Sequence, residues 1–197
     1  VITASVSLAA APVKPVARMT LTYTFAKNCP VRVRCCADIA EDAVWLPRFG
    51  FKFVLPEGFE DISYFGYGPY ESYEDKRLAS RLSTFKTTAT KNFEPYVRPQ
   101  ENMAHTDNRW VEIANNAGFG LMATNTANSN SFSFNCSHFT AEMLTKTEHD
   151  FELEPLEDTV VYLDYRHAGI GSNSCGPQLA EQWRLKEKEF NFSVRLI

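Results

Sequence analysis

The run Met19-Thr20-Leu21-Thr22-Tyr23-Thr24-Phe25 and the run Val31-Arg32-Val33-Arg34-Cys35, separated by Lys27-Asn28-Cys29-Pro30, decide the fold. Apolar and polar residues alternate in both, and a period of two places successive side chains on opposite faces of a pleated strand. The turn-forming residues between them predict a hairpin with one apolar face. The same reading extends outward. Trp110-Val111-Glu112-Ile113 and Gly120-Leu121-Met122 flank Asn115-Asn116-Ala117-Gly118, and Phe132 with Phe134, then Phe190, Phe192, Val194 and Leu196, supply further one-sided rows. One short helix is expected over Ala141–Thr147, with Thr140 capping it and Glu142 near the positive end of its dipole. Many strands, little helical periodicity and 13% aromatic residues predict an all-β, antiparallel sandwich.

The chain has 197 residues, 44% of them hydrophobic, and its 20 basic and 24 acidic residues leave a net charge of −4. A chain of this length buries roughly 70% of its unfolded surface and builds a core without metal or disulfide staples, which excludes a disordered tail. Basic residues are scattered, so the field suits neither nucleic acid nor an anionic membrane, and no run approaches the roughly 20 apolar residues of a membrane span. The five cysteines, Cys29, Cys35, Cys36, Cys136 and Cys175, form no CxxC pair and encode neither a disulfide framework nor a zinc site. A reduced, cytoplasmic setting is expected. Val1–Val16 lacks the basic and continuous apolar regions of a signal peptide, and the missing initiator Met reads as an excised or processed piece of a longer chain.

Residues that could carry chemistry are few. His105, His138, His149 and His167 never recur at a spacing that would put two imidazoles on one metal, and structural roles are expected of them. Gly66-Tyr67-Gly68-Pro69 lacks the glycine run and following helix of a phosphate loop and reads as a tight turn between strands. Tyr64, Phe65, Tyr67, Tyr70 and Tyr73 around it could stack on a sugar, with core packing the default for such large rings. Cleavage of a glycosidic bond needs two carboxylates flanking one sugar. Glu71, Asp75, Glu101 and Asp164 are candidates, in contexts where capping of amides or pairing with Arg is the commoner use. Cys175, in Gly171-Ser172-Asn173-Ser174-Cys175-Gly176-Pro177, has no basic neighbour to lower its pKa. The sequons Asn135-Cys136-Ser137 and Asn191-Phe192-Ser193 fall in strand sequence, where chance matches are common.

Beyond these readings the chain resembles a known family. Leu46-Pro47-Arg48-Phe49-Gly50, then the run from Tyr64 to Lys76, then Pro95-Tyr96-Val97-Arg98-Pro99-Gln100-Glu101-Asn102 look like successive motifs of one family in its order. Asp107-Asn108-Arg109-Trp110, Phe132-Ser133-Phe134-Asn135, Ser137-His138-Phe139-Thr140-Ala141-Glu142 and Gly169–Pro177 extend the match. It resembles the C-terminal small-chain domain of the large bacterial β-galactosidases, glycoside hydrolase family two, as a single domain over residues 1–197 slightly truncated at its N-terminal edge.

The resemblance implies a galactose-mutarotase-like supersandwich. It further implies that the catalytic glutamates, magnesium and a monovalent cation belong to a separate TIM barrel, so that this chain holds no catalytic residue, cofactor or metal and is inactive alone. Its expected partners are a galactoside substrate, the barrel and other domains of the same enzyme, and further copies in a homo-oligomer. The pocket-edge loop of the family implies substrate contact at Asn173, Ser174 and Cys175, with Glu101, Asn102 and His105 as further candidates. Cys175 stands where the best-known members place a stacking Trp, and other members share its Ser-Cys-Gly-Pro. Tyr67 replaces a frequent basic residue, Ser72 the usual Asn, and Met103 a common Gly. Two other readings stay open: a free-standing aldose epimerase using Glu101, His105 or His138 as base and acid, and a carbohydrate-binding or assembly module with an exposed row among Tyr64, Tyr67, Tyr70 and Tyr73.

Overall fold

The structure, a computed structural model, describes residues 1–9, 14–126, 131–170 and 178–197. Its strands are β1 (Ile2–Leu8), β2 (Ala17–Thr24), β3 (Val31–Ile39), β4 (Arg48–Leu55), β5 (Phe59–Gly68), β6 (Arg81–Thr88), β7 (His105–Asn108), β8 (Trp110–Asn115), β9 (Gly120–Asn125), β10 (Phe132–Ser137), β11 (Thr159–His167) and β12 (Glu189–Leu196). They form an eight-stranded sheet in the order β1-β2-β3-β12-β9-β8-β5-β6 and a four-stranded sheet in the order β4-β11-β10-β7. Every pairing is antiparallel, and the two sheets make the all-β sandwich expected from the alternation.

The founding hairpin forms in the register the alternation requires: Met19, Leu21 and Tyr23 lie opposite Ala37, Cys35 and Val33, so both apolar rows share the core face. Asn28 turns the chain at a φ of 57°, a left-handed conformation that Asn tolerates. Phe25 falls beyond the strand and is exposed. In the second hairpin, β8 to β9, Asn115 Oδ1 accepts the N–H groups of Ala117 and Phe119 at 3.0 and 3.1 Å, and Gly118 supplies the positive φ.

Aromatic contacts join the sheets. Phe49 and Phe51 of β4 stack on Phe190 and Phe192 of β12 at centroid distances of 4.3 and 5.4 Å, and Tyr64 of β5 meets Phe134 of β10 edge-on at 5.0 Å. Such pairs add roughly 0.5–1.5 kcal/mol each beyond burial. β10 is buried on both faces because the connection over residues 89–104 packs on its outer side. Asn92 Nδ2 donates to the carbonyls of Met103 and Cys136, both at 3.1 Å, and Asn135 Nδ2 donates to the carbonyl of Asn102. Burial of Asn135 is at odds with glycosylation there. Helix α1 (Ala141–Lys146) is capped as expected, Thr140 Oγ1 accepting the N–H of Met143 at 3.1 Å.

Two expectations are corrected. Gly66 to Gly68 is not a turn between strands but the end of β5, and its glycines give clearance: a Cβ on Gly66 would lie 2.0 Å from Asn108 Oδ1, and one on Gly68 2.2 Å from the Tyr64 hydroxyl. The tyrosines do not form an exposed row either. Tyr64 and Tyr73 are fully buried while Tyr70 faces solvent. No described helix is long and apolar enough to cross a membrane.

Candidate functional site

The end of the β4–β11 ladder builds the site. Gly50 lies opposite Asp164 and Arg48 opposite His167, with a bulge between Asp164 and Arg166. Gly50 allows this close approach, since a Cβ there would sit 2.4 Å from Asp164 Oδ1. Arg48 Nε donates to Asp164 Oδ1 at 3.3 Å, its Nη2 to Oδ2 at 2.5 Å, and its Nη1 to Glu101 Oε2 at 2.9 Å. The guanidinium also lies over the Tyr162 ring, 4.2 Å from its centroid. Burial opposes the Arg48 charge, yet Asp164 and Glu101 outweigh it and raise its pKa.

Glu101 comes from the 89–104 connection. Its Oε1 accepts from the Tyr73 hydroxyl at 3.5 Å and lies 3.7 Å from His167 Nε2, while His167 Nδ1 donates to the carbonyl of Ala168 at 2.8 Å. Beyond the carboxylate opens a cavity of about 320 Å³ bounded by Trp45, Pro47, Gln100, Glu101, His167 and residues 168–170. Three bonds fasten that last segment. Ala168 N–H donates to Pro47 O at 2.8 Å, Gly169 N–H to Trp183 O at 2.9 Å, and Ile170 N–H to Asp75 Oδ1 at 2.9 Å. A side chain on Gly169 would meet the Asp75 carboxyl at 2.5 Å, so glycine is what lets Asp75 reach under the segment.

Of the sequence-predicted site residues that are among the described residues, Glu101 alone lines this cavity. Asn173, Ser174 and Cys175 lie outside the described residues. Asn102 does not join the cavity: it is buried, its Oδ1 accepting Glu94 N–H at 3.0 Å and its Nδ2 donating to Gln100 O at 2.9 Å. His105 is fully enclosed, with Nε2 donating to Asn92 Oδ1 at 2.8 Å and Nδ1 facing the Tyr64 hydroxyl at 3.2 Å and the Tyr67 carbonyl at 3.0 Å. Burial lowers its pKa to about 4, so it is a neutral core imidazole. His138 is tied to Glu60 at 2.5 Å and to the Asp158 carbonyl at 3.0 Å. Neither histidine shares a site with Glu101 as the epimerase reading requires.

The other carboxylates take the structural uses anticipated for them. Glu71 accepts from Lys76, from Tyr96 and from Met103 N–H, and though burial works against ionisation these partners lower its pKa. Arg48 and Trp45 are not site candidates from sequence, whereas His167 is expected there to be structural and Tyr73 is read only as a possible stacking face. Arg48 does occur in the quoted Leu46-to-Gly50 motif, which was the available signal. Among the described residues no group of three or more His, Cys, Asp or Glu side chains is placed to hold a metal ion, so the arrangement does not fit magnesium.

The profile of the β-galactosidase small chain matches residues 1–196. The chain is 41% identical over 184 residues to a β-galactosidase of Staphylococcus xylosus, covering 93% of this chain and 18% of that protein. It is 38% identical over 179 residues to one of Actinobacillus pleuropneumoniae, covering 91% and 17%. With one of Kluyveromyces lactis it shares 30% identity over 150 residues, 76% and 14%. The chain therefore spans less than a fifth of the length of these relatives. A match over nearly every residue, on the two-sheet sandwich described above, establishes that this chain belongs to the β-galactosidase small-chain family.

Proposed function

We propose that the chain is the C-terminal part of a β-galactosidase that hydrolyses terminal β-D-galactosides, and that it lends the substrate pocket an edge rather than its catalytic groups. The observation that carries this is the commitment of the cleft carboxylates. Glu101 and Asp164 both bind one guanidinium, whereas glycosidic cleavage needs two carboxyl groups on opposite sides of a sugar. Glu101 still borders the cavity and can accept from a sugar hydroxyl, beside Trp45 and the segment that leads into Asn173, Ser174 and Cys175. In this reading the acid/base and nucleophile, magnesium and a monovalent cation belong to a barrel elsewhere in the polypeptide. The enzyme is a cytoplasmic homo-oligomer.

Kinetics of Glu101→Gln in the intact enzyme test the assignment. Loss of a charged hydrogen-bond acceptor raises KM by about tenfold with kcat nearly kept. A collapse of kcat by about a thousandfold or more at unchanged KM would instead make Glu101 a catalytic group.

A further inference from the structure

Between the end of β5 at Gly68 and the start of β6 at Arg81, the chain makes a small turn from Tyr73 to Lys76. The turn is closed on itself, Tyr73 N–H donating to Lys76 O at 2.9 Å and Lys76 N–H to Tyr73 O at 3.1 Å. It is also tied from outside. Lys76 Nζ donates to Glu71 and, at 2.9 Å, to the Tyr96 hydroxyl, and Ser72 N–H donates to Ala104 O at 2.7 Å. A turn fastened at these points is a rigid support for the side chains it carries.

Two of those side chains hold the cavity beside Glu101. Tyr73, fully buried, donates its hydroxyl to Glu101 Oε1 at 3.5 Å and meets the His167 ring edge-on at a centroid distance of 5.3 Å. Asp75 accepts the Ile170 N–H at 2.9 Å, and Gly169 has no side chain to keep the Asp75 carboxyl away. Of the backbone N–H groups of residues 168–170, those of Ala168 and Gly169 donate to backbone carbonyls and that of Ile170 to Asp75. Asp75 is thus the point at which a side-chain substitution releases this wall.

We infer that Asp75 is a positioning residue for galactoside binding: from the Tyr73–Lys76 turn it holds the backbone of residues 168–170 in place relative to Glu101 and His167, so that substrate meets a wall already formed. The gain is preorganisation, since a wall held before substrate arrives costs no ordering on binding, and small displacements of such a wall are felt in affinity. The inference rests on the pocket-edge reading above.

Steady-state kinetics of the intact enzyme with a galactoside, paired with amide exchange at residues 168–170, test it. Asp75→Ala is expected to raise KM about tenfold with kcat kept within about twofold, and to speed exchange at Ile170 at least about tenfold. Asp75→Asn keeps an acceptor oxygen for the Ile170 N–H, so its KM is expected to return to within about threefold of wild type. Gly169→Ala pushes the same carboxyl away from the other side and is expected to raise KM as Asp75→Ala does, with the double variant no worse than either; it carries the test should Asp75→Ala fail to fold. Thr140→Ala, which removes the cap of α1, is expected to lower the melting temperature and leave KM unchanged. A KM raised equally in Thr140→Ala would overturn the inference, since affinity would then follow stability and not position. So would unchanged exchange at Ile170 in Asp75→Ala. Faster exchange there with a wild-type KM, while Glu101→Gln raises KM, would overturn the inference alone and leave the wall a structural one. If Glu101→Gln and Asp75→Ala both leave KM unchanged, the pocket-edge reading fails and the inference with it.

Discussion

Arg48 and Glu101, 53 residues apart in sequence, meet at 2.9 Å in the wall of the cavity, and the same guanidinium holds the buried Asp164. One side chain from the start of β4 thus fixes both the connection that carries Glu101 and the strand β11 that leads into residues 168–170.

Replacing Arg48 by Met removes that tie and leaves Asp164, whose side chain is 3% exposed, as an unpaired buried charge. The expected loss is about 3 kcal/mol, read as a lower urea midpoint at unchanged slope. The double variant Arg48→Met/Asp164→Leu should recover part of it, because the stranded charge is gone.

Gly66→Ala places a methyl group 2.0 Å from Asn108 Oδ1, and Asn108 is itself held by Nδ2 donation to the carbonyls of His105 and Phe132. It cannot yield without breaking those bonds, so a loss of roughly 1–3 kcal/mol is expected. Thermal unfolding checks it, and Gly58→Ala, whose methyl would meet nothing within 4 Å, gives the comparison for backbone strain without a clash.

Met103 sits at a φ of 48°, a left-handed conformation that costs a non-glycine residue roughly 1–2 kcal/mol. Its N–H and carbonyl are both bonded, to Glu71 and Asn92, which holds it there. Met103→Gly is therefore expected to raise stability by about 1 kcal/mol, measured as a higher midpoint in denaturant.

His105 has a pKa lowered by burial from 6.5 to about 4. The unfolded chain therefore binds one more proton than the folded one between those values, and the contribution of His105 to stability falls as pH drops from 6.5 to about 4. The loss sums to roughly 3 kcal/mol across the window. Denaturant midpoints measured against pH should slope downward there in the wild type and lose about one proton's worth of slope in His105→Gln.

Much of this fold was legible because one face of each outer strand meets water. β2, β3 and β12 alternate, and their alternation names the core face. The small sheet was harder. β10 alternates in sequence yet is buried on both sides, its Asn135 satisfied by a hydrogen bond and not by solvent, and in the first six residues of β11, also buried on both sides, the run Val160-Val161-Tyr162-Leu163 breaks the period of two. Gly66 and Gly68 misled for a related reason: a glycine chosen for close approach by Asn108 or Tyr64 looks in sequence like one chosen for a turn. At the site, Glu101 was recognisable through its motif. Its partner Arg48 stands in the Leu46-to-Gly50 motif, but nothing in the sequence joins the two, because an ion pair across 53 residues leaves no local pattern.

Cys175→Trp, made in the intact enzyme, supplies at this position the broad stacking face that the family resemblance implies for a substrate-contacting loop. Affinity for galactosides is expected to change by about tenfold with the melting point unaltered. Unchanged kinetic constants with a wild-type melting point would remove Cys175 from the pocket edge.

Galactoside hydrolysis measured on the isolated chain, on the matching enzyme truncated to lack it, and on the two mixed addresses the central claim most directly. The account predicts that the chain alone is silent, that the truncated enzyme is impaired, and that mixing restores turnover. Hydrolysis by the chain alone, or full activity of the truncated enzyme without it, would contradict the account.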